Sequence, residues 1–405
     1  MIKKIFIRRS ICEVGLIFIF LFPFFVQAQY KWQQVADLPL NDRTSCVSFQ
    51  FGDLGYVGTG YDGNTFKRSF FAYNQPFNEW QAVTSLTGMP RSCAVSFQIG
   101  NKAYVGTGTG VTTFTNDFWQ FDNATQTWSQ IADFGGSPRH SASAFTIDSV
   151  GYVLLGYDTA GVNKEVWQYN VLSNSWTQKG NFNGAKRRLA STFVIDSLGY
   201  VVNGQGVVYR NDCWEYHPST DSWIQKQRFP GAPRYGSVGF AYWGVGIVGL
   251  GYDTSFSYQK DFYKFNPVTN QWTAIDSFPG SARSNSSSFF LNGSAYVGLG
   301  YDTVCHHDFY KLYDTTNVGI AESQIENFKF QIYPNPVVNE LRITNYELRT
   351  GDAVKIYNLS GQQVFEEKVT SIQYPSFNIQ HLVRGIYFLE ITSGKTKSVK
   401  QFVKN

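Results

Sequence analysis

The stretch "NDFWQFDNATQTW", residues 116–128, decides the fold of this chain. It concentrates Phe118, Trp119 and Phe121, breaks into a polar turn, and ends on Trp128, seven residues after Phe121. An aromatic run on each side of a short polar turn reads as two antiparallel strands. The phrase returns as "FFAYNQPFNEW" (70–80), "EVWQYNVLSNSW" (165–176), "DCWEYHPSTDSW" (212–223) and "DFYKFNPVTNQW" (261–272). In all five an aromatic residue stands seven places before the tryptophan, so the turn between the two strands is fixed. Two further alternating runs precede each phrase, such as "RHSASAFTI" from Arg139 and "GYVLLGY" from Gly151. Each unit therefore reads as four short strands, a to d, at a period near 48 residues. A four-stranded unit cannot bury both of its faces alone, and stacking such units radially gives an all-β propeller.

Tryptophans at 32, 80, 128, 176, 223 and 272 are each followed eleven residues later by an arginine, at 43, 91, 139, 187, 234 and 283. That interval fixes the crossing from strand d of one blade to strand a of the next. The distance from arginine to the next tryptophan varies between 36 and 38 residues, and this slack is placed in the b–c loop. Trp32 precedes the first arginine without strands a to c of its own, while the last unit has Gly319 where a tryptophan is due. "YKWQQVADLP" is thus expected to supply strand d of the last blade and close a ring of six. The aromatic residues of strand c and the tryptophan of strand d are expected to fill the space between blades.

With the Pro-Arg starts "SPRHSASAF" and "APRYGSVGF", the "YVGTGYDG" and "YVGLGYDT" strands and the aromatic turn to tryptophan, residues 29–314 resemble the kelch repeat family of galactose oxidase-like propellers. The departure is in strand b, where "GTG", "NGQG" or "GLG" stands for the paired glycines usual in kelch repeats.

Composition bounds the function. Of 405 residues 16% are charged and 17% aromatic, and the formal net charge is +4, of which +3 lies in the first 28 residues (Lys3, Lys4, Arg8 and Arg9 against Glu13). The remainder is nearly neutral, which excludes a basic nucleic-acid surface. The basic start, the apolar run from Val14 to Val26 and the small-residue ending at Ala28 read as a secretory signal peptide over residues 1–28, with no membrane span expected after its cleavage. Export permits disulfides, but the contexts of Cys46, Cys93, Cys213 and Cys305 differ, so mostly buried free thiols are expected, with Cys46 and Cys93 the pair to test.

A polar linker is read over residues 315–327, and short alternating strands over 328–405 read as a small β-sandwich. Tyr333-Pro334-Asn335-Pro336, then Val354 to Asn358 with Gly361, then Gly385-Ile386-Tyr387, and the ending with Lys400, Phe402 and Lys404 resemble the type A C-terminal sorting domain of the type IX secretion system. The resemblance implies passage through that machinery across the outer membrane of a Bacteroidota-type bacterium. It further implies removal of the tail, or its exchange for a lipid-linked glycan, at the surface. An accessory sandwich that binds substrate is the competing reading.

Antiparallel order puts the d–a crossings and the b–c loops on one face of the ring. The repeated arginines are expected to tie each blade to its neighbour through backbone carbonyls, and Asp117, Asp212, Asp261 and Asp308 to be turn or ladder-end residues. Loop residues that differ between blades are the binding candidates: Phe66, Arg68, Phe114, Tyr209, Arg210, Phe256, Tyr258, His306 and His307. Exposed aromatics beside amides and hydroxyls suit sugar rings, and extracellular protein ligands could use the same groups. No cofactor or metal is expected, because Cys305-His306-His307 are adjacent and adjacent side chains rarely converge on one ion. The Tyr and His ligand set of kelch-type copper oxidases has no counterpart pattern, and no nucleophile elbow or phosphate loop is present. Six-bladed kelch rings that isomerise sialic acids are a nearer comparison. A sugar isomerase or lyase at the channel mouth therefore stands as the alternative to a glycan- or protein-binding surface protein, and a purely adhesive component as a third.

Overall fold

Alternating patterns of five residues, each bounded by glycine or Asx turns, become strands of five residues almost throughout. The computed structural model describes residues 30–39, 42–315, 330–333, 337–344, 348–358, 363–370, 376–394 and 396–404. The expected signal peptide, nearly all of the linker, and Pro334, Asn335, Pro336 and Gly361 lie outside the described residues. The chain divides into two compact units, one ending at Asn317 and the other starting at Val318.

In the first unit, blade 1 is an antiparallel sheet of strands Val47–Phe51, Leu54–Gly58, Phe70–Asn74 and Glu79–Val83, hydrogen-bonded in the order a-b-c-d. Blades 2 to 5 repeat that order over residues 95–131, 143–178, 191–226 and 238–275. Blade 6 takes strands a to c from Ser287–Leu291, Ser294–Gly298 and Phe309–Asp314, and strand d from Tyr30–Val35 at the start of the chain. The register runs from Tyr30 opposite Asp314 to Val35 opposite Phe309, so the N-terminal strand closes the ring as expected. The b–c loops hold eleven residues in blades 1 to 3, ten in blade 4, twelve in blade 5 and ten in blade 6, which places the slack in the repeat where it was read.

Strand a of every blade touches strand a of both neighbours, so the a strands surround the axis. Among the described residues, the propeller core is six clusters, one at each junction between blades. At the first junction Trp128 of blade 2 lies 5.0 Å from Phe70 of blade 1 and 5.0 Å from Phe121 of its own blade, while Phe49 stacks on Tyr56 at 5.1 Å. The strand-d tryptophans are mostly half-buried, with only Trp223 fully covered. Their indole nitrogens account for this, because they reach outward to the preceding blade's crossing: Trp80 donates to the Ala36 carbonyl at 2.8 Å and Trp128 to that of Thr84 at 3.0 Å.

Backbone hydrogen bonds between blades run round the ring in closed circuits. One joins Ser45, Cys93, Ser141, Leu189, Gly236 and Asn285, each N–H donating to the carbonyl of the equivalent residue in the preceding blade at 2.8–3.1 Å. All six have φ between 53° and 63°, a conformation costly for a residue such as Leu189 and held here by the repeated contact. A second circuit runs from Gly60, Gly108, Gly156, Gly204, Gly251 and Gly300 to the carbonyl of the next blade's arginine. Gly60 has φ 96°, and a Cβ on it would lie 2.8 Å from the Thr44 carbonyl oxygen. Glycine is therefore required at this position, while the preceding position tolerates Thr59, Leu155 or Asn203 at φ near 60°.

In the second unit a sheet of Gln331–Tyr333, Glu340–Thr344 and Ser376–Asn378 and a four-stranded sheet built from Ala353–Asn358, Gln363–Lys368, Gly385–Ser393 and Thr396–Lys404 share one core. Leu341, Ile343 and Phe377 from the first meet Val354, Ile356, Leu389, Ile391 and Phe402 from the second. Among the described residues no helix is long and apolar enough to cross a membrane.

Candidate binding site

The face carrying the d–a crossings and b–c loops is organised by the six arginines, four places before strand a and at most 1% exposed. Each guanidinium turns into its own blade. Nη1 donates to the carbonyl at the end of strand b, from Arg43 to Thr59 at 3.2 Å round to Arg283 to Leu299 at 3.2 Å. The guanidinium also grips the acid that opens strand c: Arg91 with Asp117 and Arg187 with Asp212, both at 2.6 Å, Arg139 through Nη2 with Glu165 at 2.5 Å, Arg234 with Asp261, and Arg283 with Asp308. In blade 1 Ser69 takes the acid's place. This corrects the expectation for the arginines: the side chain locks its own blade, and the tie to the neighbour is made by the arginine's backbone. The aspartates are likewise more than ladder ends, being the counter-ions of buried arginines. Burial alone would raise the Asp212 carboxyl, but the Arg187 hydrogen bonds and charge and the Trp214 indole outweigh it and hold the group below the ordinary aspartate range.

The residue after each arginine pairs with the third residue of the b–c loop, and that residue in four blades pairs with one further along the loop: Thr44, Tyr61 and Phe66; Ser92, Thr109 and Phe114; Arg188, Gln205 and Tyr209; Ser284, Tyr301 and Cys305. Blade 5 repeats this with Tyr235, Tyr252 and Tyr258, and blade 3 sets His140 against Tyr157. These short ladders carry the variable side chains of the mouth, and their rings continue from blade to blade. One arc runs Tyr209, Tyr235, Tyr252, Tyr258, Tyr301 across blades 4 to 6, with successive centroids 5.0, 5.7, 4.8 and 6.2 Å apart. Another runs from Phe114 to His140 at 4.6 Å, then to Tyr157 at 5.4 Å, over which the Arg188 guanidinium sits at 5.1 Å. Burial and then the Arg188 charge push the His140 pKa down to about 4, so the imidazole is neutral at neutral pH. Burial and the surrounding tyrosines push the Tyr235 phenol up to about 12.

Of the residues singled out from the sequence, Phe66, Phe114, Tyr209 and Tyr258 belong to this rim. Arg210 is half-buried beside it. Phe256 stands alone at a loop tip, 77% exposed, and Arg68 is exposed where its carbonyl accepts from Leu86. His306 turns to Asp302 at 3.0 Å, and exposed His307 pairs with Asp42, its carbonyl accepting from Leu38 at 2.9 Å in the seam where the N-terminal segment enters blade 1. Cys305 Sγ faces the Tyr61 carbonyl at 3.5 Å, so the three adjacent side chains point to different partners. Sequence reasoning missed His140, Arg188 and Tyr235 because each adjoins an invariantly spaced structural arginine. The signal that could have found them is that this one position holds Thr, Ser, His, Arg, Tyr and Ser in turn.

On the axis, the residues two and three places after each arginine, Ser45 and Cys46 round to Asn285 and Ser286, line a cavity of about 140 Å³. That is below the several hundred Å³ of a typical ligand pocket, so the rim rather than the bore offers space for a ligand. All four described cysteines are free, including Cys46 and Cys93 in the cavity wall; Cys213 alone is fully buried.

In the second unit, Gly385 stands opposite Lys404 in the last ladder. Tyr387 packs on Phe402 at 5.7 Å and donates its hydroxyl to the Val383 carbonyl at 2.9 Å. Lys400 is exposed and Lys404 is buried. Tyr333 pairs through its backbone with Arg342.

Comparison with known proteins agrees with this architecture. The model of the secretion system C-terminal sorting domain matches residues 331–405. A solved structure titled "Structure of YjhT" matches with a TM-score of 0.61 at 16% identity, covering 69% of this chain and 97% of that one. The likeness establishes the propeller fold. No match was found among curated proteins. The tail identifies a protein delivered to the cell surface or beyond by the type IX machinery.

Proposed function

We propose that this secreted propeller is a binding protein whose ligand, a glycan, lies on the rim formed by the d–a crossings and b–c loops. The observation that carries this is the tyrosine arc of blades 4 to 6, since the C–H faces of a sugar ring stack on aromatic edges and planes while phenol hydroxyls meet its hydroxyls. A sugar isomerase or lyase would need an acid or base free to meet substrate. The aspartates of the rim are instead engaged by neighbouring side chains: Asp62 with Lys67, Asp158 with Asn163 of its loop and Ser137 of the adjoining crossing, Asp253 with Gln259 and Asp302 with His306. An extracellular protein is the second ligand class that such a surface accepts. In this reading residues 1–28 are cleaved on export from a Bacteroidota-type cell, and residues 331–405 serve delivery alone.

A glycan array with the purified secreted protein tests the reading, run beside a Tyr209→Ala, Tyr258→Ala double variant checked for an unchanged melt. Saturable binding to one sugar class, lost in the variant, is expected. Absence of binding by both proteins overturns the glycan assignment in favour of a protein partner.

A further inference from the structure

Four b–c loops carry Tyr-Asp at their third and fourth positions, Tyr61-Asp62, Tyr157-Asp158, Tyr252-Asp253 and Tyr301-Asp302. In each, the aspartate engages the polar side chain at one further loop position: Lys67, Asn163 at 3.3 Å, Gln259 at 2.7 Å and His306 at 3.0 Å. The equivalence of that position is set by the backbone. The N–H of residues 67, 115, 163, 210, 259 and 306 donates to the carbonyl of its blade's positive-φ glycine, from Gly60 round to Gly300. Blade 2 has Thr109-Gly110 instead of Tyr-Asp, and its residue at the position, Thr115, accepts from Arg91 at 3.0 Å and needs no acid. Blade 4 also lacks the aspartate, reading Gln205-Gly206, yet it places Arg210 there.

Among the described residues no carboxylate meets Arg210, and its buried Nε has no hydrogen-bond partner. The chain cannot supply the acid at the homologous position, because a Cβ on Gly206 would lie 2.6 Å from the Lys186 carbonyl oxygen. Across the same ladder Arg188 is held by Gln205 Oε1 at 3.1 Å and by the Tyr157 ring, again with no carboxylate among the described residues. Blade 4 thus offers two guanidinium groups on a ladder where four sister blades have a loop aspartate to engage the polar side chain and blade 4 has none.

We propose that this part of the rim is a carboxylate site, and that the ligand is a glycan bearing a uronic acid or similar carboxylated sugar. This rests on the glycan reading above and deepens it. A guanidinium presents parallel N–H donors matched to a carboxylate's two oxygens. Tyr209 adjoins Arg210 in the chain and meets Tyr235 edge-on at 5.0 Å, which sets an aromatic surface for the sugar beside the charge.

Titration calorimetry of the full secreted chain with galacturonate oligosaccharides and with neutral galactose oligosaccharides tests the proposal, in wild type and Arg210→Gln. Binding of the acidic oligomer is expected to weaken roughly tenfold or more in the variant and to fall with added salt, with binding of any neutral sugar little changed. Equal affinity of the two proteins for the acidic oligomer overturns the proposal, and so does equal or better binding of polyglutamate, which would identify an acidic protein partner. A second measurement separates this inference from the glycan reading. With ¹⁵N-labelled arginine, the Nε–H signal absent from Arg210→Gln is expected to shift saturably with sodium glucuronate and not with glucose. That shift supports the carboxylate site even where no oligosaccharide binds, and its absence refutes the site whatever the array reports.

Discussion

At the level of single residues, the face of this propeller is built by one charge pair repeated with variations. Arg187 is wholly buried and its Asp212 partner nearly so. Replacing Asp212 by Asn leaves the guanidinium without a counter-charge, and the expected loss is about 3 kcal/mol, read as an earlier denaturant midpoint. The same carboxylates set an acid limit. Asp117 and Asp212 titrate below their unfolded values, so the stability they contribute is present above the ordinary aspartate range and is lost as pH falls through their lowered folded values. His140 acts in a higher window. Its folded pKa is depressed to about 4 from 6.5, so the unfolded chain takes up the proton first and stability declines as pH falls from 6.5 toward 4. His140→Gln is expected to flatten that part of a stability-against-pH curve, and an unchanged slope would refute the burial argument.

Among the elements, the strand Tyr30–Val35 matters most. It adds a ladder to blade 6, and Trp32 sits 5.0 Å from Phe262 of blade 5 and 5.3 Å from Phe278 in the crossing that follows it. Leu38 just beyond is fully buried. Deleting residues 29–40 is expected to cost about 5 kcal/mol or more, through the lost Trp and Leu burial together, and to lower the melting temperature sharply. An unchanged melt would contradict closure by this strand. This element was legible in the sequence, since the interval from Trp32 to Arg43 repeats that of the other five blades. Other features were not. The residues of the innermost hydrogen-bond circuit are Ser, Cys, Ser, Leu, Gly and Asn, sharing a backbone conformation but no side-chain type, and composition carries no trace of φ. The partners of the arginines were visible but were read as ladder ends, because one blade uses Glu165 and another Ser69 in the aspartate's place. The rim was half legible: the b–c loops pointed to Tyr209 and Tyr258, while Tyr235 and Tyr252 come from positions framed by conserved-looking spacing and emerge only when the blades are set side by side.

At the scale of the whole molecule, the second unit carries the sorting signal, and the binding proposed above belongs to the first. Removing residues 331–405 is expected to leave the propeller folded, with its melt unchanged, and held in the periplasm; surface delivery of that truncated chain, read by protease accessibility on intact cells, would contradict the sorting role. Inside the propeller, Tyr30 and Asp314 face each other across one rung of the last ladder. In blade 2 the corresponding strands, ending at Asp122 and starting at Thr127, are joined by four residues. A linker of that length from Asp314 to Tyr30 would make the six blades covalently continuous, and the chain could then be opened in any other c–d turn without disturbing a junction. The ring is in this sense circularly permutable: where its polypeptide starts is a choice of the gene, and the geometry has no first blade.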